Sequence, residues 1–342
     1  MKKKILFISL AKEIGGGEIV LRNLISDISK RYSEDQIKLL CNRRLMKYFK
    51  DGGNIDSLEI SQNSFSNFLY YLVNAPSIIA FNEFSSVIKV PLFFRSKCIV
   101  ILHTNKELGK KWFYNYKILL FKYLSKYIDK FVSVSRSVEE SWESITNSIV
   151  ITNGIRIPTE PILFKQNQTP SIGYVGNFSI SKGQNDFLDL LIKYNIHNKV
   201  HFFGKGKQRL QLEKKAIEGK LNVIFHGFVN NQEKLYRSFD ILVSMSTSEG
   251  YGLVYDEALS YQKLIISYDV GHIAQIVKNE YNGFIIQVGN KVQFSNKLLQ
   301  ILNDKKLFNK IQRNVRKSSG LIKSSEQMTN NYLNLFDNLL SK

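Results

Sequence analysis

PTEPILFKQNQTPSIGYVGNFSISKG, residues 158–183, divides the chain in two. Pro158, Pro161 and Pro170 are three of only five prolines, and they lie among polar Gln166, Asn167 and Gln168. That composition interrupts helix and strand and reads as a linker. Past it a strand restarts at Ile172, much as one starts at Ile5, with a glycine-containing turn and a helical stretch behind each. Outward from this break, short apolar runs alternate with longer helical segments. In the first half the runs are Ile5–Leu10, Ile37–Cys41, Ile78–Phe81, Cys98–Leu102, Phe131–Ser135 and Val150–Thr152. In the second they are Ile172–Val175, Val200–Phe203, Val223–Phe225, Ile241–Met245 and Leu264–Ser267. Strands of this length alternating with helices predict βαβ units and parallel sheets. The expected fold class is α/β, with two Rossmann-like domains in tandem. Residues 1–157 form the first, 158–170 a linker and 171–324 the second, and a helix over 325–342 packs back toward the first. In such folds ligands bind at the carboxyl ends of the strands, here expected in a cleft between the domains.

The 342 residues suit two domains with cores of their own, and no run approaches the ~20 apolar residues of a membrane span. The apolar stretch Ile5–Ala11 behind Lys2, Lys3 and Lys4 is short for a signal peptide and reads as a buried strand. Cys41 and Cys98 are the only cysteines, too few for a disulfide framework, and a reducing, cytoplasmic compartment is expected. The net charge of +19 admits nucleic acid, an anionic membrane surface or anionic small substrates. Residues 1–160 hold 24 basic and 15 acidic side chains (+9) and residues 161–342 hold 24 and 14 (+10), so no basic arm stands apart. With no zinc-finger, basic-zipper or RNA-binding signature either, no nucleic-acid partner is expected.

Three glycine-bearing turns carry candidate chemistry. Gly15-Gly16-Gly17 follows the first strand and opens a helix, where the backbone can approach a ligand and the helix N-terminus favours an anion. A plain tight turn explains it equally well. Gly176-Asn177-Phe178-Ser179-Ile180-Ser181-Lys182-Gly183 follows the first strand of the second half, and its lysine suits a phosphate or simply solvent. Ser248-Glu249-Gly250-Tyr251-Gly252-Leu253-Val254-Tyr255-Asp256-Glu257-Ala258 sets one glutamate in a turn past a strand and another two helical turns on. That spacing arises by chance, but a carboxylate in such a place suits two vicinal hydroxyls of a ribose or hexose.

Taken in order, Gly15-Gly16-Gly17-Glu18, His103-Thr104, Asn153-Gly154, Gly176…Lys182-Gly183, Glu249…Glu257 and Asn282-Gly283 resemble the retaining GT-B glycosyltransferases of family 4, the glycosyl transferases group 1. The resemblance implies a nucleoside diphosphate sugar donor, UDP-linked, held mostly by the second domain. Glu257 would take the ribose hydroxyls and Glu249 the transferred hexose or N-acetylhexosamine. Lys182 and the amides around Gly250, Tyr251, Gly252, Leu253 and Val254 would hold the diphosphate, and Gly15, Gly16 and Gly17 would close on it. His103, at the end of its strand, would contact the sugar or acceptor near the anomeric carbon. The resemblance further implies retention without a covalent enzyme intermediate, no cofactor and no metal, and the chain has no Asp-x-Asp. Two departures stand out. Asn177 replaces an arginine common in the family, with Lys205 a possible second cation, and His272 and Gln275 replace a common glycine and glutamate.

Residues 106–130 interleave seven lysines with Trp112, Phe113, Tyr114, Tyr116, Phe121, Tyr123 and Tyr127. On a helical wheel Trp112, Tyr116, Leu119, Leu120, Tyr123 and Tyr127 share a face expected to be core. Tyr114, Ile118 and Phe121, beside Lys110, Lys111 and Lys122, are expected outside, as is the patch Arg43, Arg44, Lys47. Such surfaces suit an anionic bilayer or an ordinary solvated face. The functional expectation is a transferase acting on a glycan acceptor, lipid-linked, at the inner face of the cell membrane in surface polysaccharide synthesis. The rivals are a non-catalytic GT-B homologue acting as a binding or chaperone partner, a nucleic-acid binder, and a GT-B epimerase or phosphorylase.

Overall fold

The structure, a computed structural model, describes residues 4–33, 36–51, 59–62, 76–89, 96–106, 112–159, 169–318, 320 and 322–341. The chain forms two compact units: Met1–Arg156 with Lys323–Lys342, and Ile157–Ile322. Most of the proline-rich segment, 160–168, lies outside the described residues.

The first unit is built on seven parallel strands: β1 (Ile5–Ser9), β2 (Ile37–Cys41), β3 (Glu59–Gln62), β4 (Ile78–Asn82), β5 (Lys97–Leu102), β6 (Lys130–Ser133) and β7 (Ser148–Val150). Their order is β3-β2-β1-β4-β5-β6-β7. β1 and β4 are buried along their whole length, as strands covered by helices on both faces must be. The helix Ser325–Leu340 belongs to this unit. It packs on the helix Gly16–Ile28, Phe336 lies against Phe7 with ring centroids 6.5 Å apart, and Arg31 donates to Asn330 at 2.6 Å. Asn153-Gly154 serves this return of the chain: a Cβ at Gly154 would lie 2.2 Å from the Ser324 carbonyl, so only glycine admits the pairing of Ile155 with Ser324.

The second unit repeats the design with β8 (Ile172–Val175), β9 (Val200–Phe203), β10 (Val223–Gly227), β11 (Ile241–Ser244), β12 (Leu264–Tyr268) and β13 (Gly283–Ile286), in the order β10-β9-β8-β11-β12-β13. Both sheets are parallel, and in each the winding reverses beside the first strand, between β1 and β4 and between β8 and β11. β3 and β13 were not expected from the sequence; both are four-residue edge strands with little periodicity of their own. β7 lies at 148–150, two residues before the expected run.

Candidate functional site

In doubly wound sheets the reversal point opens a crevice at the carboxyl ends of the strands. In the second unit this crest is formed by the turns after β8 and β11. Gly183 ends the first turn with φ 73°, and a Cβ there would lie 2.3 Å from the Met245 carbonyl, so the Lys182 turn can sit directly on the segment after β11. Thr247 N–H donates to the Ser181 carbonyl at 2.8 Å, Met245 N–H donates to the Tyr174 hydroxyl at 2.8 Å, and that hydroxyl donates to the Lys182 carbonyl. So held, Lys182 meets Glu249: Nζ lies 2.5 Å from Oε1, with the two side chains 27% and 13% exposed. Residues 67 positions apart thus set a cation and a carboxylate on one crest.

Gly252, with φ 93°, caps the helix Leu253–Ser260, whose first amides face the same turn. Tyr251 and Leu253 are buried, and Gly250 and Val254 half-buried. Glu257 lies on this helix, 7% exposed. Its Oε2 accepts from Tyr236 and its Oε1 from Gln232, both at 2.6 Å. Burial pushes its carboxyl up to about 7 against the pull of those two donors. A carboxylate has roughly four lone-pair sites, so two remain for further hydroxyls. Gln232 and Tyr236 were not anticipated; they lie on a short helix after β10 with no motif of their own.

His272, the histidine where the resemblance leads one to expect glycine, braces this loop. Its ring stacks on Tyr251 at 3.7 Å, Nδ1 lies 2.6 Å from the Tyr251 carbonyl, and Nε2 lies 2.8 Å from Asp256 Oδ2 without good hydrogen-bond alignment. Neighbouring Gly271, φ 67°, has the Tyr251 carbonyl 2.3 Å from where a Cβ would be. Asn177 is exposed and its carbonyl accepts from Gln184 at 3.0 Å. Lys205 is exposed too; its carbonyl accepts from Phe178 N–H at 2.7 Å beside Asn177, while its Nζ lies over the Phe228 ring at 5.3 Å.

The crest of the first unit is differently made. Gly15 caps the helix starting at Gly16, and its N–H donates to Glu18 Oε2 at 3.0 Å. A Cβ on Gly17 would lie 3.1 Å from the His103 ring, so the glycine lets imidazole and backbone meet. His103 Nε2 lies 2.7 Å from Asn82 Oδ1, and burial pushes its pKa down to about 4, leaving a neutral ring. Glu83, unnoticed in the sequence, has φ 81° and ψ 146°, a region nearly reserved for glycine and costing ~1–3 kcal/mol. Its Oε2 accepts from His103 N–H at 3.2 Å and Thr104 Oγ1 at 3.3 Å, and its Oε1 from Phe84 N–H at 3.3 Å. Burial raises its carboxyl to about 7.

The surface expectations divide. Arg43, Arg44 and Lys47 are exposed around buried Leu45 and Phe49. On the helix Trp112–Leu124, however, the side chains depart from the expected faces, with Ile118 and Leu120 both half-buried. Phe121 is fully buried, edge-on to Phe131 and Trp142 at 5.9 and 5.4 Å, so it is core and not membrane surface. Tyr116, Leu119, Tyr123 and Tyr127, expected inside, are 55%, 66%, 59% and 37% exposed. Lys122 is exposed beside them, and Lys126 lies over the Tyr123 ring at 4.1 Å. Both stripes of this helix are apolar, so the wheel does not choose between them; the aromatic pocket formed by Phe84, Phe131 and Trp142 does. Lys110, Lys111 and the side chains of Trp112 and Tyr114 lie outside the described residues.

Two parallel, doubly wound units, each with its glycine turns at the reversal point, define an α/β chain of the GT-B class. Residues 158–318 match the family model described as Glycosyl transferases group 1, which makes the second unit a domain of that family and bears out the resemblance read from the motifs. Among curated relatives, the poly(ribitol-phosphate) alpha-N-acetylglucosaminyltransferase of Staphylococcus aureus is 24% identical over 199 residues, covering 56% of this chain and 40% of its own. The N-acetyl-alpha-D-glucosaminyl L-malate synthase of Bacillus anthracis is 25% identical over 49% of this chain and 45% of its own. The chain thus aligns with less than half the length of these relatives. Among solved structures, HepE of Anabaena in complex with UDP and glucose superposes with a TM-score of 0.82 over 98% of this chain and 99% of that one, at 16% identity. The sucrose-phosphate synthase of Thermosynechococcus elongatus gives 0.78 over 99% and 100%, also at 16%. At such identities the likeness is one of fold.

Proposed function

We propose that the protein is a retaining, metal-independent glycosyltransferase that moves a hexose or N-acetylhexosamine from a UDP-sugar to a glycan acceptor. The observation that carries this reading is the crest of the second unit, where Lys182, Glu249 and the start of the helix Leu253–Ser260 converge on one turn. As the glycosidic bond breaks, the departing diphosphate gains charge. The Lys182 ammonium and the helix N-terminal amides stabilise that charge, a term worth several kcal/mol where water is excluded. For the phosphate to enter, Lys182 turns from Glu249, which frees the carboxylate for a sugar hydroxyl. Glu257 takes the ribose hydroxyls with its remaining lone pairs. The acceptor hydroxyl attacks the anomeric carbon from the face the diphosphate leaves. Its proton passes to the departing phosphate oxygen, so configuration is kept and no enzyme nucleophile is needed. Structures of like fold that hold UDP and UDP-glucose support the choice of donor.

The acceptor is a lipid-linked glycan, and the first unit rests on an anionic membrane at the cytoplasmic face. The exposed Tyr116, Leu119, Tyr123 and Tyr127 with Lys122 and Lys126 support this, because amphipathic aromatics and cations share the headgroup layer. Among the described residues no helix is long and apolar enough to cross a membrane.

Thermal unfolding with UDP, GDP, ADP and their sugars, on wild type and Glu257→Gln, tests the donor site. A nucleotide at ~100 times its Kd stabilises by about 2.7 kcal/mol. UDP raising the Tm of wild type but not of the variant supports the reading. No shift from any nucleotide favours instead a non-catalytic homologue, to which the uncharged Asn177 also points.

A further inference from the structure

Outside the donor-side residues, the most constrained polar cluster is the one beneath His103. Glu18 is 7% exposed and Asn82 is 3% exposed. Glu18 receives three donors: Ser9 Oγ to Oε1 at 3.2 Å, Asn82 Nδ2 to Oε1 at 3.1 Å and Gly15 N–H to Oε2 at 3.0 Å. Burial raises the Glu18 carboxyl, and the Gly15, Ser9 and Asn82 donors pull it back toward the ionised form. A carboxylate only accepts and the Gly15 N–H only donates, so in that form this end of the chain of bonds has a fixed direction. Asn82 must present its amino group to Glu18 and hence its oxygen to His103. At 2.7 Å from that oxygen, His103 Nε2 must carry the proton. The neutral imidazole then has a bare lone pair on Nδ1. Nδ1 has no hydrogen-bond partner among the described residues and is not among the buried atoms left unsatisfied, so it stays open to a ligand. Glu83 holds the His103 main chain, and the ring lies against Gly17, where a Cβ would come within 3.1 Å of its Cγ and Cδ2.

We infer that Glu18, acting through Asn82, is a positioning residue that fixes His103 in its Nε2–H form, so that Nδ1 accepts a hydrogen bond from a sugar hydroxyl. The last clause rests on the proposed transferase reading; the tautomer does not. Across all contacts the chain of donors runs one way, from the ligand hydroxyl to Nδ1 and from Nε2–H through Asn82 to Glu18. A ligand group that only accepts, such as a phosphate oxygen, meets a lone pair at Nδ1 and is disfavoured there. At Nδ1 the first crest is thereby selective for hydroxyls.

Long-range ¹H–¹⁵N spectra of the histidine rings in the ligand-free protein read the tautomer, with His103→Gln identifying the signals. The expected pattern is a protonated Nε2 and a bare Nδ1. Glu18→Gln keeps the size of the side chain but adds an amide donor. It can donate to Asn82 Oδ1, turn that amide over and move the proton of His103 to Nδ1. In that variant turnover is expected to fall about tenfold, the worth of one net hydrogen bond, with nucleotide affinity unchanged. Wild-type His103 found as Nδ1–H or as imidazolium at neutral pH overturns the inference. So does a Glu18→Gln protein that keeps the wild-type tautomer, or one whose tautomer flips with no loss of turnover. Asn82→Leu, which cuts the relay, should leave His103 a mixture of both tautomers; an unchanged ring would also count against the relay. If wild type shows the expected tautomer but transfers no sugar, the positioning stands and the proposed reaction falls.

Discussion

Glu257 and Glu83 lie on the corresponding crests of two sheets that share their order over six strands, and burial lifts both carboxyls to about 7. Their partners differ. Glu257 accepts from a tyrosine hydroxyl and a glutamine amide, side-chain donors that can shift to make room for ligand hydroxyls. Glu83 accepts from the main-chain N–H groups of Phe84 and His103, which cannot move without the strand ends moving, and only its third donor, the Thr104 hydroxyl, is a side chain. The first is a carboxylate available to a ligand, the second a carboxylate committed to holding a histidine in place. A raised pKa alone therefore does not distinguish a binding group from a scaffold group; the identity of its donors does.

The sharpest way to break this comparison is at the charged crest. Lys182→Ala is expected to lower turnover by about 10²–10³, as removal of one charge-stabilising donor does elsewhere, with a much smaller change in nucleotide affinity. Steady-state kinetics alongside nucleotide titration would check it, and wild-type kinetics would remove Lys182 from its role. A smaller effect separates the two glutamates by pH. Each has a folded pKa near 7, above the ordinary value of 4.5, so its stabilising contribution is full below about 4.5 and lost as pH climbs through 7. Against wild type, Glu257→Gln and Glu83→Gln should both gain stability as pH rises from 5 to 7, by up to ~1.4 kcal/mol per unit in denaturant titrations. Only Glu257→Gln should also flatten the pH dependence of nucleotide binding; equal flattening in both variants would erase the distinction. The smallest effect concerns the surface of the first unit. Lys122→Glu with Lys126→Glu should cut flotation with anionic vesicles at low salt, each cation being worth ~1 kcal/mol, while turnover on a soluble acceptor holds. Undiminished flotation would show that the exposed aromatic face is not the contact.

Much of the second crest was legible because it is nearly continuous in the chain. Ser248–Ala258 carries the turn, the helix cap and both glutamates within eleven residues, and the Lys182 turn follows a strand of unmistakable pattern. The first crest was legible only in part. Gly17 and His103 stood out as a glycine turn and a strand-end histidine, whereas Asn82 and Glu83 look like any polar residues after an apolar run. Their meaning comes from β4 pairing between β1 and β5, which sets residues from three turns side by side. Phe121 and Tyr123 make the same point on a helix whose two stripes are equally apolar, where the aromatic pocket beside one of them decided which was buried.

The sequence by itself determined the alternation of short apolar strands with helices, the break near the prolines and the glycine turns, because periodicity and backbone permissiveness are local properties that neighbouring residues impose. It therefore determined two parallel sheets and where their crests lie. Tertiary structure alone decided which donor meets which carboxylate, which face of the helix Trp112–Leu124 is core, and that Glu18 faces His103 through Asn82. Hydrogen-bond direction and desolvation depend on neighbours tens of residues away, and only the closed sheets bring those neighbours within 3 Å.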